Sequence, residues 1–259
     1  SRSKTESILR GEDDRLTVIV GPCSIHDPRA ALEYADFIAE QREEHADDLE
    51  IIMRFYPEKP RSVAGWKGIT YDPELSEYLT PDEPKYDFNK GIIVTRMLAN
   101  AITHKGVPLA MERLNALTPQ YVNGLVTYDA IGARNALDQK AREYASGTSS
   151  VVGIKHAPDG NISSAVDAVD AASRPHMLLG NEMTGVSAEI ETLGNETAHV
   201  ILRGSKDAPN YTEAYISKTI QLIRDRNETT GKQLLEAVVV DASHDNSGKD
   251  YTKQFWVVK

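Results

Sequence analysis

VVGIK (151–155) has no polar residue before its last position, lacks the in-out alternation of a half-exposed strand, and ends on a lysine. Such a run suits a strand covered on both faces, as in a parallel sheet. Runs that are mostly apolar without alternation recur in LTVIVG (16–21), IIMRFY (51–56), PLAMER (108–113), AIGAR (130–134), HVILRG (199–204) and AVVVDASH (237–244). Helical patterns fill the intervals. Asp27 ahead of Pro28 predicts the cap and first position of a helix that carries Leu32, Ala35 and Ile38 at core spacing. Thr118 ahead of Pro119 predicts a second cap, and Ile216, Ile220 and Ile223 repeat the i, i+4, i+7 pattern.

This alternation predicts an α/β chain of TIM-type (β/α)8 barrel class, with about seven barrel strands and incomplete at the C-terminus. A doubly wound sheet is the alternative, but no glycine-rich dinucleotide fingerprint follows the first strand. Residues 1–259 read as a single barrel domain with an inserted hairpin near 176–198. Residues 57–89, rich in Pro, Gly and charge, read as a long loop that is either functional or disordered. FWVVK (255–259) has strand-like composition, but too few residues separate it from His244 for a helical crossover.

Composition narrows the function. The net charge of −10 excludes a general nucleic-acid binder, whose affinity needs clustered Lys and Arg. One cysteine excludes an internal disulfide and a zinc cluster built from several thiolates. The polar opening SRSKTESILRGEDDR does not read as a signal peptide, and no apolar run approaches the ~20 residues that span a bilayer. A cytoplasmic protein without membrane contact is expected.

In a barrel the catalytic groups sit at the carboxyl ends of the strands. Here those ends carry Cys23, Arg54, Glu112 or Arg113, Arg134, Lys155, Arg203 and His244. A ring of such cations repels itself unless an anion fills it, so the expected ligand carries phosphate, carboxylate or both. KPRS (59–62) adds Lys59, Arg61 and Ser62, with Pro60 stiffening the turn, and GWKG adds Lys67. A thiolate at Cys23 with an imidazole at His244 suits a divalent Mn, Fe, Co or Zn ion. Taken alone, a lone cysteine ending a strand is more often a buried small hydrophobe than a ligand, and the nucleophile of a Cys–His pair is a third reading that no oxyanion site in the sequence supports.

GPCSIHD, IIMRFYPEKPRSVAGWKG, LTPQY, AIGAR, GIKHAPDG, VILRG and DASHDNSGKD occur in the order found in class I 3-deoxy-D-arabino-heptulosonate 7-phosphate (DAHP) synthases, which the chain resembles from about residue 5 to residue 250. The resemblance implies condensation of phosphoenolpyruvate with erythrose 4-phosphate and release of phosphate, the first step of the shikimate pathway. It implies Cys23 and His244 as metal ligands, and Arg54, Ala133, Arg134, Lys155 and Arg203 as the phosphoenolpyruvate site. It further implies that Lys59, Pro60, Arg61 and Ser62 orient erythrose 4-phosphate, that Glu112 lies near the attacking water, and that His26 is a second polar group on the first loop. A homo-oligomer is expected. Family members also have a Glu ligand ending an eighth strand and an Asp ligand after it, motifs that these residues do not contain. NALD (135–138), RLN (113–115), NEMTG (181–185) and Ser62 depart from the family's usual runs. Those departures bear on substrate geometry and loop function, while the two missing ligand motifs keep open a degenerate or truncated homologue that binds phosphorylated ligands or associates with a complete synthase subunit.

Overall fold

A computed structural model describes residues 1–61, 63–115, 117–182 and 186–259. The chain divides into two compact units, Ser1–Asp129 and Ala130–Lys259.

In the first unit helix α1 (Arg2–Leu9) precedes strand β1 (Leu16–Val20), helix α2 (Pro28–Glu44) and strand β2 (Leu49–Arg54). A short helix α3 (Ser76–Leu79), helix α4 (Phe88–His104), strand β3 (Leu109–Glu112), helix α5 (Thr118–Val122) and strand β4 (Val126–Ile131) follow, β4 running through the division. The strands stand in chain order, with β1, β2 and β3 paired in parallel. The register sets Val18 beside Ile51 and Met53 beside Leu109. Neighbours in register share a sheet face, and faces alternate along a strand. Ile51, Met53, Leu109 and Met111 therefore face Ala35, Ile38, Leu98 and Ile102 of α2 and α4 in one buried cluster. Arg54 and Glu112 fall on the opposite face.

The second unit continues with helix α6 (Gln139–Ser146), strand β5 (Val151–Lys155), helix α7 (Ser163–Ala172) and a hairpin of strands β6 (Met177–Asn181) and β7 (Ser187–Glu191). Strand β8 (His199–Leu202), helix α8 (Glu213–Thr230), strand β9 (Val238–Val240) and helix α9 (Gln254–Val258) complete it. Strands β5, β8 and β9 pair in parallel, with Lys155 beside Ile201 and Leu202 beside Val240. Val152, Ile154, Val200 and Leu202 pack on Ala165, Val166 and Val169 of α7. Lys155, Arg203 and Asp241 thus share the face turned away from that helix. The hairpin expected in 176–198 is present, pairing Met177 with Glu191 and Asn181 with Ser187.

Several local readings are corrected. The fourth strand begins at Val126 and ends at Ile131, before the GAR of AIGAR. Asp129 breaks the apolar run there, but it is tolerated because the buried Arg113 pairs with it at 2.8 Å. Gly132 then opens a turn, its carbonyl accepting from the backbone N–H groups of Asn135 and Ala136. Strand β9 stops at Val240, because the Asp241 carboxylate turns back to accept from the Ser243 N–H and hydroxyl. Asp27 caps α2 as expected, accepting from the Arg29 N–H at 2.8 Å. Thr118 does not cap α5. Its hydroxyl donates to Glu58 at 2.6 Å, and the Asn115 side chain takes the N–H groups of Leu117 and Thr118 instead. FWVVK is helical, because a 3-10 turn at Tyr251–Lys253 runs directly into α9. Among the described residues no helix is long and apolar enough to cross a membrane.

Candidate active site

In the first unit the expected site residues gather where β1 and β2 end. Gly21 has φ +154°, and a Cβ there would lie 3.0–3.1 Å from Arg54 backbone and Cβ atoms, so only glycine lets the chain pass so close. The loop is then fixed by the buried Ile25, whose N–H donates to the Tyr56 carbonyl at 2.9 Å. Cys23 is exposed rather than packed, which removes the buried-hydrophobe reading. Lys59 Nζ donates to the Cys23 carbonyl at 2.9 Å and to Sγ at 3.3 Å. Arg54 donates to the same carbonyl at 3.4 Å and lies 3.8 Å over the Tyr56 ring. Its Nε is buried without a hydrogen-bond partner. Cys23, Arg54 and Lys59 therefore meet at one place.

The long loop that follows is folded. The Lys59 N–H bonds the Lys67 carbonyl, and Gly68 allows an approach in which a Cβ would sit 2.1 Å from the Pro57 carbonyl. Arg61 Nε donates to the carbonyl of the buried Trp66 at 2.7 Å. Glu58, only 4 % exposed, accepts from the Thr118 hydroxyl and from Asn115 Nδ2. Burial raises its pKa, and those two donors oppose the rise. Pro60 is half-buried between these anchored residues. Ser62 lies outside the described residues. His26 is exposed on the first loop, its Nδ1 3.5 Å from the Ser24 carbonyl. Glu112 is half-buried at the end of β3.

In the second unit the strand register predicts that Lys155, Arg203 and Asp241 converge, and the contacts agree. Lys155 Nζ lies 2.8 Å from Asp241, and the same Asp241 oxygen is 2.6 Å from His244 Nδ1. Arg203 pairs with Asp245 at 2.8 Å. The expectation of cations left unneutralised until an anion arrives is thus corrected for Lys155 and Arg203, each of which already holds a carboxylate. Burial by itself would raise the Asp241 pKa, but the Lys155 charge and the His244 ring hold it well below the usual carboxylate range. Ala133 is half-buried and Arg134 exposed, both in the turn after β4.

Sequence reading missed Asp241, Asp245, Glu58 and the fully buried His156. The first two were visible as carboxylates three residues before and one residue after His244. The spacing places Asp241 where it can fix the imidazole.

A family model described as the DAHP synthetase I family matches residues 2–259. The chain belongs to that family. Phospho-2-dehydro-3-deoxyheptonate aldolase of Haemophilus influenzae is 44% identical over 254 residues, covering 98% of this chain and 67% of that one. The enzyme of the same name from Corynebacterium glutamicum is 40% identical over 258 residues, covering 100% and 66%. A solved phospho-2-dehydro-3-deoxyheptonate aldolase from Francisella tularensis superposes with a TM-score of 0.91 at 42% identity, covering 99% of this chain and 72% of that one. The chain spans about two thirds of the length of the two relatives named first. DAHP synthases are transferases of the TIM-barrel class, which is the class expected from the βα series.

DAHP synthases of this family are metal-dependent and take phosphoenolpyruvate and erythrose 4-phosphate. The donor chemistry here fits a divalent ion in part. Cys23 offers an exposed thiol, and Asp241 at His244 Nδ1 orients that ring so that Nε2 is the nitrogen able to ligate. Among the described residues no three His, Cys, Asp or Glu side chains cluster to complete a metal centre.

Proposed function

We propose that this chain carries the DAHP synthase reaction, joining C3 of phosphoenolpyruvate to the aldehyde carbon of erythrose 4-phosphate. Water then adds at C2, and the phosphohemiketal expels inorganic phosphate with its bridging oxygen. The observation that carries the reading is the convergence of Lys155, Arg203 and Asp241 on one sheet face at the ends of adjacent parallel strands.

Lys155 and Arg203 are assigned to the phosphate and carboxylate of phosphoenolpyruvate, with Arg54, Arg134 and the Ala133 backbone. Asp241 and Asp245 support this assignment, because they hold the two cations extended in a desolvated place before the anion exchanges with them. Lys59, Pro60, Arg61 and Ser62 are assigned to erythrose 4-phosphate, Arg61 and Ser62 to its phosphate. The anchoring of Lys59 on Cys23 and of Arg61 on Trp66 supports a preshaped loop. Glu112 is assigned to the water that attacks C2, and His26 to the polar wall of the first loop. Cys23 and His244 are assigned as two ligands of a divalent Mn, Fe, Co or Zn ion. When bound, that ion supplies Lewis-acid polarisation of the aldehyde.

Phosphate release measured with both substrates and Mn(II) tests the proposal. Wild-type protein should release phosphate only when both substrates are present, and Lys155→Ala should lower the rate at least about 100-fold, as loss of a positioned cation does. Equal rates for the two proteins would reject it.

A further inference from the structure

His156 is 0 % exposed, and no step assigned above uses it. It follows Lys155 in the chain, so its side chain points to the helix-covered face while Lys155 points to the other. Its Nδ1 lies 2.8 Å from the Ala157 carbonyl, which can only accept. That contact puts the ring proton on Nδ1. Nε2 is then the acceptor, and it takes the Arg203 backbone N–H at 3.2 Å and Asn210 Nδ2 at 2.8 Å. The Asn210 amide is oriented independently, because its Oδ1 accepts from the Gly204 N–H at 2.7 Å. The Asn210 N–H in turn donates to Asn246 Oδ1 at 2.7 Å, and Asn246 Nδ2 donates to the carbonyls of Leu202 and Asp241 at 3.2 and 3.0 Å. Asn210 and Asn246 are themselves buried. One neutral ring and two amides thus tie together the C-terminal ends of β5, β8 and β9. Burial above all, helped by the Arg203 charge, keeps the ring neutral, while the Ala157 carbonyl favours the charged form.

We infer that His156 is a positioning residue for phosphoenolpyruvate: its Nε2 fixes the backbone at Arg203 relative to Lys155, and so sets the distance between the two cations. This rests on the phosphoenolpyruvate reading of Lys155 and Arg203. Simple core packing would need neither a defined tautomer nor a histidine. The inferred role does, because an acceptor must meet two donors at a fixed distance from β5. Leucine would fill the space without accepting. Glutamine can still present an oxygen near the Nε2 position.

Calorimetric titration of the full chain with phosphoenolpyruvate and, separately, with erythrose 4-phosphate tests this, with thermal unfolding of each variant measured alongside. His156→Leu should bind phosphoenolpyruvate roughly 10- to 100-fold more weakly, the loss expected when positioned groups shift by a fraction of an ångström to an ångström. Erythrose 4-phosphate affinity should stay within about twofold, and His156→Gln should recover most of the lost affinity. Unchanged phosphoenolpyruvate affinity in His156→Leu would overturn the inference and leave the phosphoenolpyruvate site standing. Equal loss of both ligands, or failure of His156→Gln to recover binding while unfolding like wild type, would also overturn it. Wild-type protein that binds no phosphoenolpyruvate would instead remove the underlying assignment, and this inference with it.

Discussion

Gly21 and His199 show how single residues constrain this chain. The Gly21 backbone is in a region that L side chains rarely adopt, and a Cβ would press on Arg54 at 3.0–3.1 Å. Gly21→Ala should therefore cost about 1–3 kcal/mol and shift the Arg54 guanidinium, read as a lower unfolding midpoint with weaker phosphoenolpyruvate binding. His199 is fully buried, and burial pulls its pKa from 6.5 to about 4, against the opposing pull of the Thr197 carbonyl. The unfolded chain therefore binds a proton between those two values that the folded chain does not. Stability from this group is complete above pH 6.5, falls as pH drops toward 4, and changes no further below it. The span corresponds to roughly 3 kcal/mol. Urea unfolding at a series of pH values should show that fall in wild type and a flatter curve in His199→Gln; parallel curves would contradict the assignment. Neither effect could be read from sequence, because each depends on what the fold brings against the residue.

Elements were legible to the extent that their residues obeyed one period. VVGIK is strand β5 at its full expected length, and the Asp27–Pro28 start of α2 is found where the capping chemistry puts it. The reading failed where a tertiary partner overrode the local pattern. Asp129 hid the first half of β4, since nothing local announces its pairing with Arg113. Thr118 was drawn from a capping role by Glu58, sixty residues away in sequence. This second contact joins the start of α5 to the loop that carries Lys59. A double-mutant cycle of Glu58→Gln and Thr118→Val should give a coupling of about 1–2 kcal/mol, measured by denaturant unfolding. Additive single effects would mean that the bond contributes nothing.

For the chain as a whole, the basic strand ends were readable as a series, while the pairing of Lys155 and Arg203 with Asp241 and Asp245 was not, because it depends on which strands the fold sets side by side. The net charge of −10 is partly invested there, in Asp241 and Asp245 beside Lys155 and Arg203. On the proposed assignment phosphoenolpyruvate would take the place of these carboxylates, so its affinity should respond to pH through Asp241 only in strong acid, below its ordinary 3.8. Asp241 gains stability from its partners above that value, and loses it as pH falls through the lowered folded pKa. Treatment with a chelator should stop phosphate release, and Mn(II) should restore it. Cys23→Ser and His244→Ala should each need more metal for the same rate. Metal-independent turnover would remove the ligand assignment.

The most direct measurement uses phosphoenolpyruvate labelled with 18O at its bridging oxygen, with erythrose 4-phosphate and Mn(II). Mass spectrometry should find the label in the released phosphate and a seven-carbon keto acid formed in equal amount. Label retained in the organic product, or phosphate released without erythrose 4-phosphate, would contradict the reaction assigned to this chain.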